Sequence, residues 1–168
     1  MRIVVAVKNV PDIQSDRAFV EGRVDRVPED GTLNELDENA LEAALRIVEA
    51  LPEDERAQSE VVAVTMGDED AEGALKKAFQ LGVDRGVLVC DEALAGSDYF
   101  ATARVLAATV RAIEEEGQVD LVLTGMAALD GLGSVVPALL AAELDLPQLT
   151  LAGELVVEPA TDGGAPPA

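Results

Sequence analysis

Histidine and tryptophan are missing from this chain, and cysteine occurs once, as Cys90. Without an imidazole there can be no Ser-His-Asp arrangement, no His-ligated metal and no ordinary proton relay near neutral pH, so those function classes fall away together. A lone cysteine forms no internal disulfide, and Cys90, closing the apolar run Val87-Leu88-Val89, reads as a buried filler. Positive charge is also scarce: 12 Lys plus Arg stand against 33 Asp plus Glu, a net charge of −21. That balance repels nucleic-acid backbones and anionic lipid surfaces, so no nucleic-acid partner is expected. No apolar stretch approaches the roughly 20 residues of a membrane span, and the run in the opening MRIVVAVK is too short for a signal peptide. A cytoplasmic chain without membrane insertion is expected.

Aromatic residues make up only 2% of a chain that is 49% hydrophobic, so the core has to be built from Leu, Val and Ala. Continuous aliphatic runs at Ile3–Val7, Val61–Thr65, Val87–Cys90 and Val119–Thr124 are the pattern of strands buried on both faces. Helical patterns lie between them. In 37–51, Ala40, Leu41, Ala44, Leu45, Val48 and Leu51 form one stripe that Pro52 ends. Residues 68–81 start acidic, carry Lys76 and Lys77 late and stop at Gly82, the polarity a helix dipole favours. A third helix spans 97–116, with Ser97 or Asp98 as cap and Gly117 as stop, and a fourth spans 134–144. This alternation predicts an α/β fold: a doubly wound, mostly parallel sheet with helices on both faces. At 168 residues it is most simply one folded unit.

Two segments break the alternation. Residues 12–36 are rich in Gly, Pro and charge, and the stretches 17–20 and 23–27 around Glu21-Gly22 suggest a small hairpin. Beyond Leu149 the strand-like Glu154–Val157 is followed by a Gly/Pro/Ala tail, 161–168, whose composition cannot hold a fixed structure alone. We therefore place the folded domain at 1–148 and read 149–168 as a flexible remnant of a C-terminal strand or arm.

Ligands of open parallel sheets bind beyond the carboxyl ends of the strands. The loop 125–134, Gly-Met-Ala-Ala-Leu-Asp-Gly-Leu-Gly-Ser, is the most informative of these ends. Gly131 and Gly133 permit close backbone approach, and Ser134 and Val135 open a helix whose free N–H groups suit an anion. An ordinary glycine-shaped turn would look the same locally. The loop is neither G-x-G-x-x-G after the first strand nor G-x-x-x-x-G-K-[ST].

Taken in order, the blocks resemble a family. Val4-Val5-Ala6-Val7-Lys8-Asn9-Val10-Pro11-Asp12 resembles the V-A-V-K-x-V-P-D opening of electron transfer flavoprotein beta subunits, the FixA-like proteins. Residues 34–45 resemble the family's N-x-x-D-E-x-A-x-E-x-A-L block, 78–86 its A-L-x-M-G-A-D-[RK]-[AG] block, and 120–125 the strand before its ligand loop. Residues 130–150 follow the D-G-x-G-x-V-P-A-x-L-A-x-x-L-x-L-P-Q-L-T form without gaps. The likeness covers 1 to about 158.

The resemblance implies an electron-carrier subunit with no substrate chemistry of its own. It implies a heterodimer in which an alpha subunit holds FAD, while the beta subunit buries AMP, or in some relatives a second FAD in its place. Dehydrogenases, including acyl-CoA dehydrogenases of fatty acid oxidation, would deliver electrons to that complex. Carried over by position, adenine and ribose would meet Ala6, Lys8, Asn34, Asp37 and Met66, with Gly125 ending the strand beside them. Phosphate would meet Asp130, Gly131, Gly133, Ser134, Val135 and Val136. Read as plain residues, Asn34 is equally a helix cap, Met66 a packing residue, and Lys8 a surface salt-bridge partner for Asp37. Many family members carry an acidic run and a Gln before the ligand helix. Here Asp130-Gly131-Leu132 and Val135-Val136 stand there, so phosphate would rest on backbone. Family members also continue well beyond the length present here. A freestanding adenine-nucleotide sensor of the universal-stress type shares the fold class and would predict ATP on a homodimer. An ATP-pyrophosphatase-type ligase would need an S-G-G-x-D-S-like loop where Lys8-Asn9-Val10-Pro11 stands.

Overall fold

The computed structural model describes residues 1–14, 18–20, 22–24 and 31–157. A four-stranded parallel sheet is built from β1 (Arg2–Ala6), β6 (Glu60–Met66), β7 (Arg85–Val89) and β8 (Leu121–Thr124), in the order β7-β6-β1-β8. Between β1 and β6 the chain forms β2 (Asn9–Pro11), β3 (Phe19–Val20), β4 (Arg23–Val24), β5 (Gly31–Leu33), α1 (Glu35–Glu49) and the short α2 (Glu53–Arg56). The crossovers between later sheet strands carry α3 (Glu72–Leu81) and α4 (Tyr99–Glu114), and α5 (Val136–Leu144) follows β8.

β1 and β6 occupy the middle of the sheet, which is why their sequences are uninterrupted aliphatic runs. Successive side chains on a strand face opposite ways. Ile3, Val5, Val61 and Ala63 pack with Leu41, Ala44, Ala74 and Ala78 of α1 and α3. Val4, Val62 and Val64 pack with Leu106, Ala107, Val110 and Leu140 of α4 and α5. Small residues at the helix contacts let the two layers sit close to the sheet, and an aliphatic core with almost no aromatic volume results. This is the doubly wound α/β fold expected from the alternation.

The four expected helices are present with shifted ends, α1 running over Glu35–Glu49 and α3 starting only at Glu72 after a separate turn at Glu69–Ala71. Gly82 takes φ 115° and stops α3, and its N–H and that of Val83 bond back to Phe79 O and Ala78 O. Of the two candidate caps for α4 it is Asp98 that acts, its carboxylate accepting from Ala101 N at 2.8 Å, while the Ser97 hydroxyl donates to Leu94 O. α5 begins two residues later than expected, because Ser134 and Val135 form a turn with no side-chain cap.

Two expectations are corrected. Cys90 is exposed. It lies one residue past the end of β7, and β7 is an edge strand, so the apolar run before it gives it no cover. Glu154–Val157 forms no strand. Leu155 instead packs against the core cluster on the α1/α3 face. The hairpin is present where its residues are described, β3 pairing antiparallel with β4, with Glu21 outside the described residues, and β2 pairs with β5 at the base of the same excursion. The outer parts of the expected hairpin at Arg17 and 25–27, and the tail 161–168, lie outside the described residues.

At the amino end of the sheet Arg2 joins three elements. Its Nε meets Glu60 at 2.7 Å, and its Nη1 donates to Gly117 O at 2.8 Å and Ile113 O at 3.3 Å, at the carboxyl end of α4. A cation there satisfies carbonyls that the helix leaves free. Arg2→Met keeps the stem and removes these bonds, and should cost about 1–2 kcal/mol in urea denaturation. An unchanged midpoint would show that the cluster is only surface decoration.

Candidate functional site

The chain moves from β1 to β6 and β7 on one side, then returns to place β8 on the other side of β1. The gap beyond the carboxyl ends of β1 and β8 is therefore the topological switch point, where open α/β sheets form their crevice. Ala6 and Thr124 pair across it in register. The segments leaving these strands are 7–9 and 125–135, and the amino end of α1 projects between them.

Asp37 is the centre of this junction. It is buried in the first turn of α1, and its Oδ2 accepts from the Lys8 backbone N–H at 2.9 Å. Burial pushes its carboxyl up from 3.8 to about 6, held back by hydrogen bonding from Asn34, Lys8 and Gly125 and by the Lys8 charge. Gly125 makes the closest approach: a Cβ there would fall 2.1 Å from Asp37 Oδ1 and 2.8 Å from Leu36 O. Glycine at this position is what lets α1 rest on the end of β8.

Asn34 is wholly buried and precedes α1, but its side chain does not cap that helix. Its Nδ2 donates to Ala127 O at 2.9 Å, and its Oδ1 accepts from Leu129 N at 3.1 Å. The amide thus pins the glycine-containing loop against β1, and its polar atoms are engaged by protein. The Lys8 ammonium pairs with Asp130, not with Asp37, the salt-bridge partner weighed as its alternative role: Nζ lies 2.9 Å and 3.0 Å from the two Asp130 oxygens. The loop brings Asp130 there because Asn34 has already fixed Ala127 and Leu129. The Asp130 side chain is only 3% exposed while that of Lys8 is 44% exposed, so the pair neutralises a buried carboxylate beside the loop.

Beyond Asp130 the loop runs through Gly131, Leu132, Gly133 and Ser134 into Val135 and Val136 at the start of α5. Leu132 adopts φ 50°, a left-handed conformation unusual for a branched side chain, and lies exposed. The N–H groups of Gly131, Gly133, Ser134 and Val135 donate to no protein acceptor among the described residues. They flank the amino end of a helix with no side-chain cap, an arrangement suited to an anion. Met66 lies at the carboxyl end of β6, the strand beside β1, and packs into the cluster on the α4/α5 face.

Sequence reasoning missed Tyr99. As the first residue of α4 it lays its phenol against Gly133: Cζ, Oη and Cε1 fall 2.5, 2.5 and 2.6 Å from where a Cβ would stand. Only the packing of α4 beside α5 brings it there, and nothing local in its own segment signals it. Among the described residues no group of His, Cys, Asp or Glu is arranged to hold a metal ion, and no helix is long and apolar enough to cross a membrane.

The structure is thus a doubly wound α/β domain with a glycine loop and an uncapped helix start at its switch point, the place where open sheets of this class form their crevice. Residues 22–162 match the electron transfer flavoprotein domain family, and the chain belongs to that family. It is 39% identical over 158 residues to an electron transfer flavoprotein subunit beta of Mycobacterium leprae, covering 93% of this chain and 58% of that protein. It is 37% identical to a protein FixA of Azotobacter vinelandii, covering 93% of this chain and 54% of the relative. A caffeyl-CoA reductase-Etf complex subunit CarD of Acetobacterium woodii is 35% identical, with 94% and 58% covered. The chain thus spans somewhat more than half the length of these relatives, and its likeness lies with beta subunits.

Proposed function

We propose that this chain is the nucleotide-binding part of an electron transfer flavoprotein beta subunit, an electron-carrier component rather than an enzyme. It binds AMP in the crevice between β1 and β8 and, assembled with an alpha subunit, helps enclose the FAD that carries electrons from dehydrogenases to an acceptor. The observation that carries this reading is the row of N–H groups at Gly131, Gly133, Ser134 and Val135, at the amino end of α5 in a chain of this family. The residues fit a phosphate. The donors are backbone groups, so no cation is needed, and the acid nearest them, Asp130, is already neutralised by Lys8. Adenine and ribose would lie along the ends of β1 and β8, against Ala6, Gly125 and the Lys8 stem, with Val136 closing the phosphate end.

Asn34 and Asp37 serve this site from beneath: Asn34 positions the loop and Asp37 positions Lys8. FAD bound at the subunit interface would supply the redox chemistry, and this chain would contribute part of the surface that shields it. Residues 1–148 form the nucleotide-binding unit in this reading, with 149–168 passing toward the arm that continues in the longer relatives.

Mass spectrometry of small molecules released on denaturation, from the chain alone and from the chain co-expressed with a candidate alpha subunit, tests this. AMP from the chain and FAD only from the complex is the expected result. Two FAD per complex would assign the crevice to a second flavin. ATP from a homodimer, with no flavin under either condition, would overturn the electron-transfer reading.

A further inference from the structure

We infer that Tyr99 is a binding residue of the phosphate end of this site, its hydroxyl donating to the anion that the loop 131–135 receives. The inference rests on the nucleotide-binding reading above and adds a side chain to a site otherwise made of backbone. Tyr99 Oη lies 2.5 Å from the position a Cβ of Gly133 would take, so it stands next to the backbone that carries the Gly133 and Ser134 N–H groups. A single phosphate can span donors spaced this closely.

The ring fills the side-chain space that glycine leaves empty, which gives Gly133 a role besides conformational freedom. It admits the phenol. The hydroxyl has no hydrogen-bond partner among the described residues, and the residue is 47% exposed, so a ligand can reach this side chain. The neighbouring acid, Asp98, is engaged in capping α4, its carboxylate accepting from Ala101 N. Since α4 and α5 both follow strands of one parallel sheet, both start at the same edge, and the Tyr99 hydroxyl and the loop N–H groups converge there. An O–H to a phosphate oxygen is a charge-assisted bond, stronger than a neutral one.

Tyr99 is the chain's one tyrosine, and there is no tryptophan, so intrinsic emission reports on this residue alone. Calorimetric titration of the 168-residue chain with AMP and with adenosine, paired with tyrosine emission, tests the assignment. The wild type should bind AMP with a saturable emission change. Tyr99→Phe, which keeps the ring and so the packing on Gly133, should bind AMP about tenfold more weakly while its adenosine affinity stays unchanged. Gly133→Ala, which pushes the phenol off the loop, should weaken AMP binding in the same selective way.

Equal AMP affinity for Tyr99→Phe and wild type would overturn the inference while leaving the nucleotide site intact. So would an equal loss of AMP and adenosine, since that marks a purely structural residue. A wild type that binds neither compound would remove the nucleotide reading itself, and the role of Tyr99 with it.

Discussion

Gly125→Ala should leave little folded protein. The added methyl would stand 2.1 Å from Asp37 Oδ1 and within 2.9 Å of the Leu36 carbonyl, both belonging to the first turn of α1. Neither can withdraw easily. Leu36 O is helix backbone, and Asp37 is held by the Lys8 N–H on its far side. Relief requires α1 to lift from the end of β8, which would uncover Leu41 and Ala44, both wholly buried under that helix. Forcing extra volume into a packed junction costs about 1–3 kcal/mol when neighbours can adjust. Here the neighbours are backbone and a buried carboxylate, so about 4 kcal/mol or more is expected, a large share of the roughly 5–15 kcal/mol that holds a domain together. Soluble yield and the urea midpoint are the measurements. A variant with near-native stability would mean that α1 and β8 are not in fixed contact. Gly131→Ala, where a Cβ meets nothing within 4 Å, is the matched control and should be nearly silent.

Asp37→Ala should cost about 3 kcal/mol at pH 7, because the Lys8 N–H loses its acceptor in a buried place and the Asn34 amide and Gly125 N–H lose the carboxylate beside them. The pH dependence has a definite sign. Burial raises the folded-state value from 3.8 to about 6, so between these two values the folded protein holds a proton that the unfolded chain does not. The contribution of Asp37 to stability therefore increases as pH falls from 7 through 6 toward 4, and decreases again as pH rises through 6. The gap in unfolding free energy between wild type and Asp37→Ala should widen on going from pH 7 to pH 5. Using that difference cancels the relief of general repulsion that a chain of net charge −21 experiences on acidification. A gap that narrows over the same range would show that hydrogen bonding, not burial, dominates the carboxylate.

The sheet was legible because parallel strands covered on both faces leave continuous aliphatic runs, as in Ile3–Val7 and Val61–Thr65, which pattern alone can find. Helix ends were legible where one residue decides them, as Gly82 and Asp98 do. Edge position is a different kind of property, set by which strand fails to find a neighbour. That is why Cys90 was expected inside and lies outside, and why Glu154–Val157 has strand character without a strand. The site shows the same division. The loop glycines and the free N–H groups at α5 follow from local sequence, and so does the position of Asn34 before α1. The bonds from Asn34 to Ala127 and Leu129, the pairing of Lys8 with Asp130, and the phenol on Gly133 all join segments far apart in the chain. Spacing along the sequence carries no information about them until the β1–β8 neighbourhood exists.

The pairing of β2 with β5 has a further consequence. Asn9 stands opposite Leu33 and Pro11 opposite Gly31, and the Asn34 N–H bonds to Lys8 O at 2.9 Å just inside that pair. Val10 and Leu33 on this pair are buried, and Leu33 joins the core cluster of α1 and α3, so Lys8 and Asn34 sit at the base of a stem that is itself packed into the domain. Lengthening a closed loop costs little free energy once its base is fixed. A closed and buried stem of this kind makes Lys8 and Asn34 tolerant of length changes in the chain that follows Pro11 and precedes Gly31.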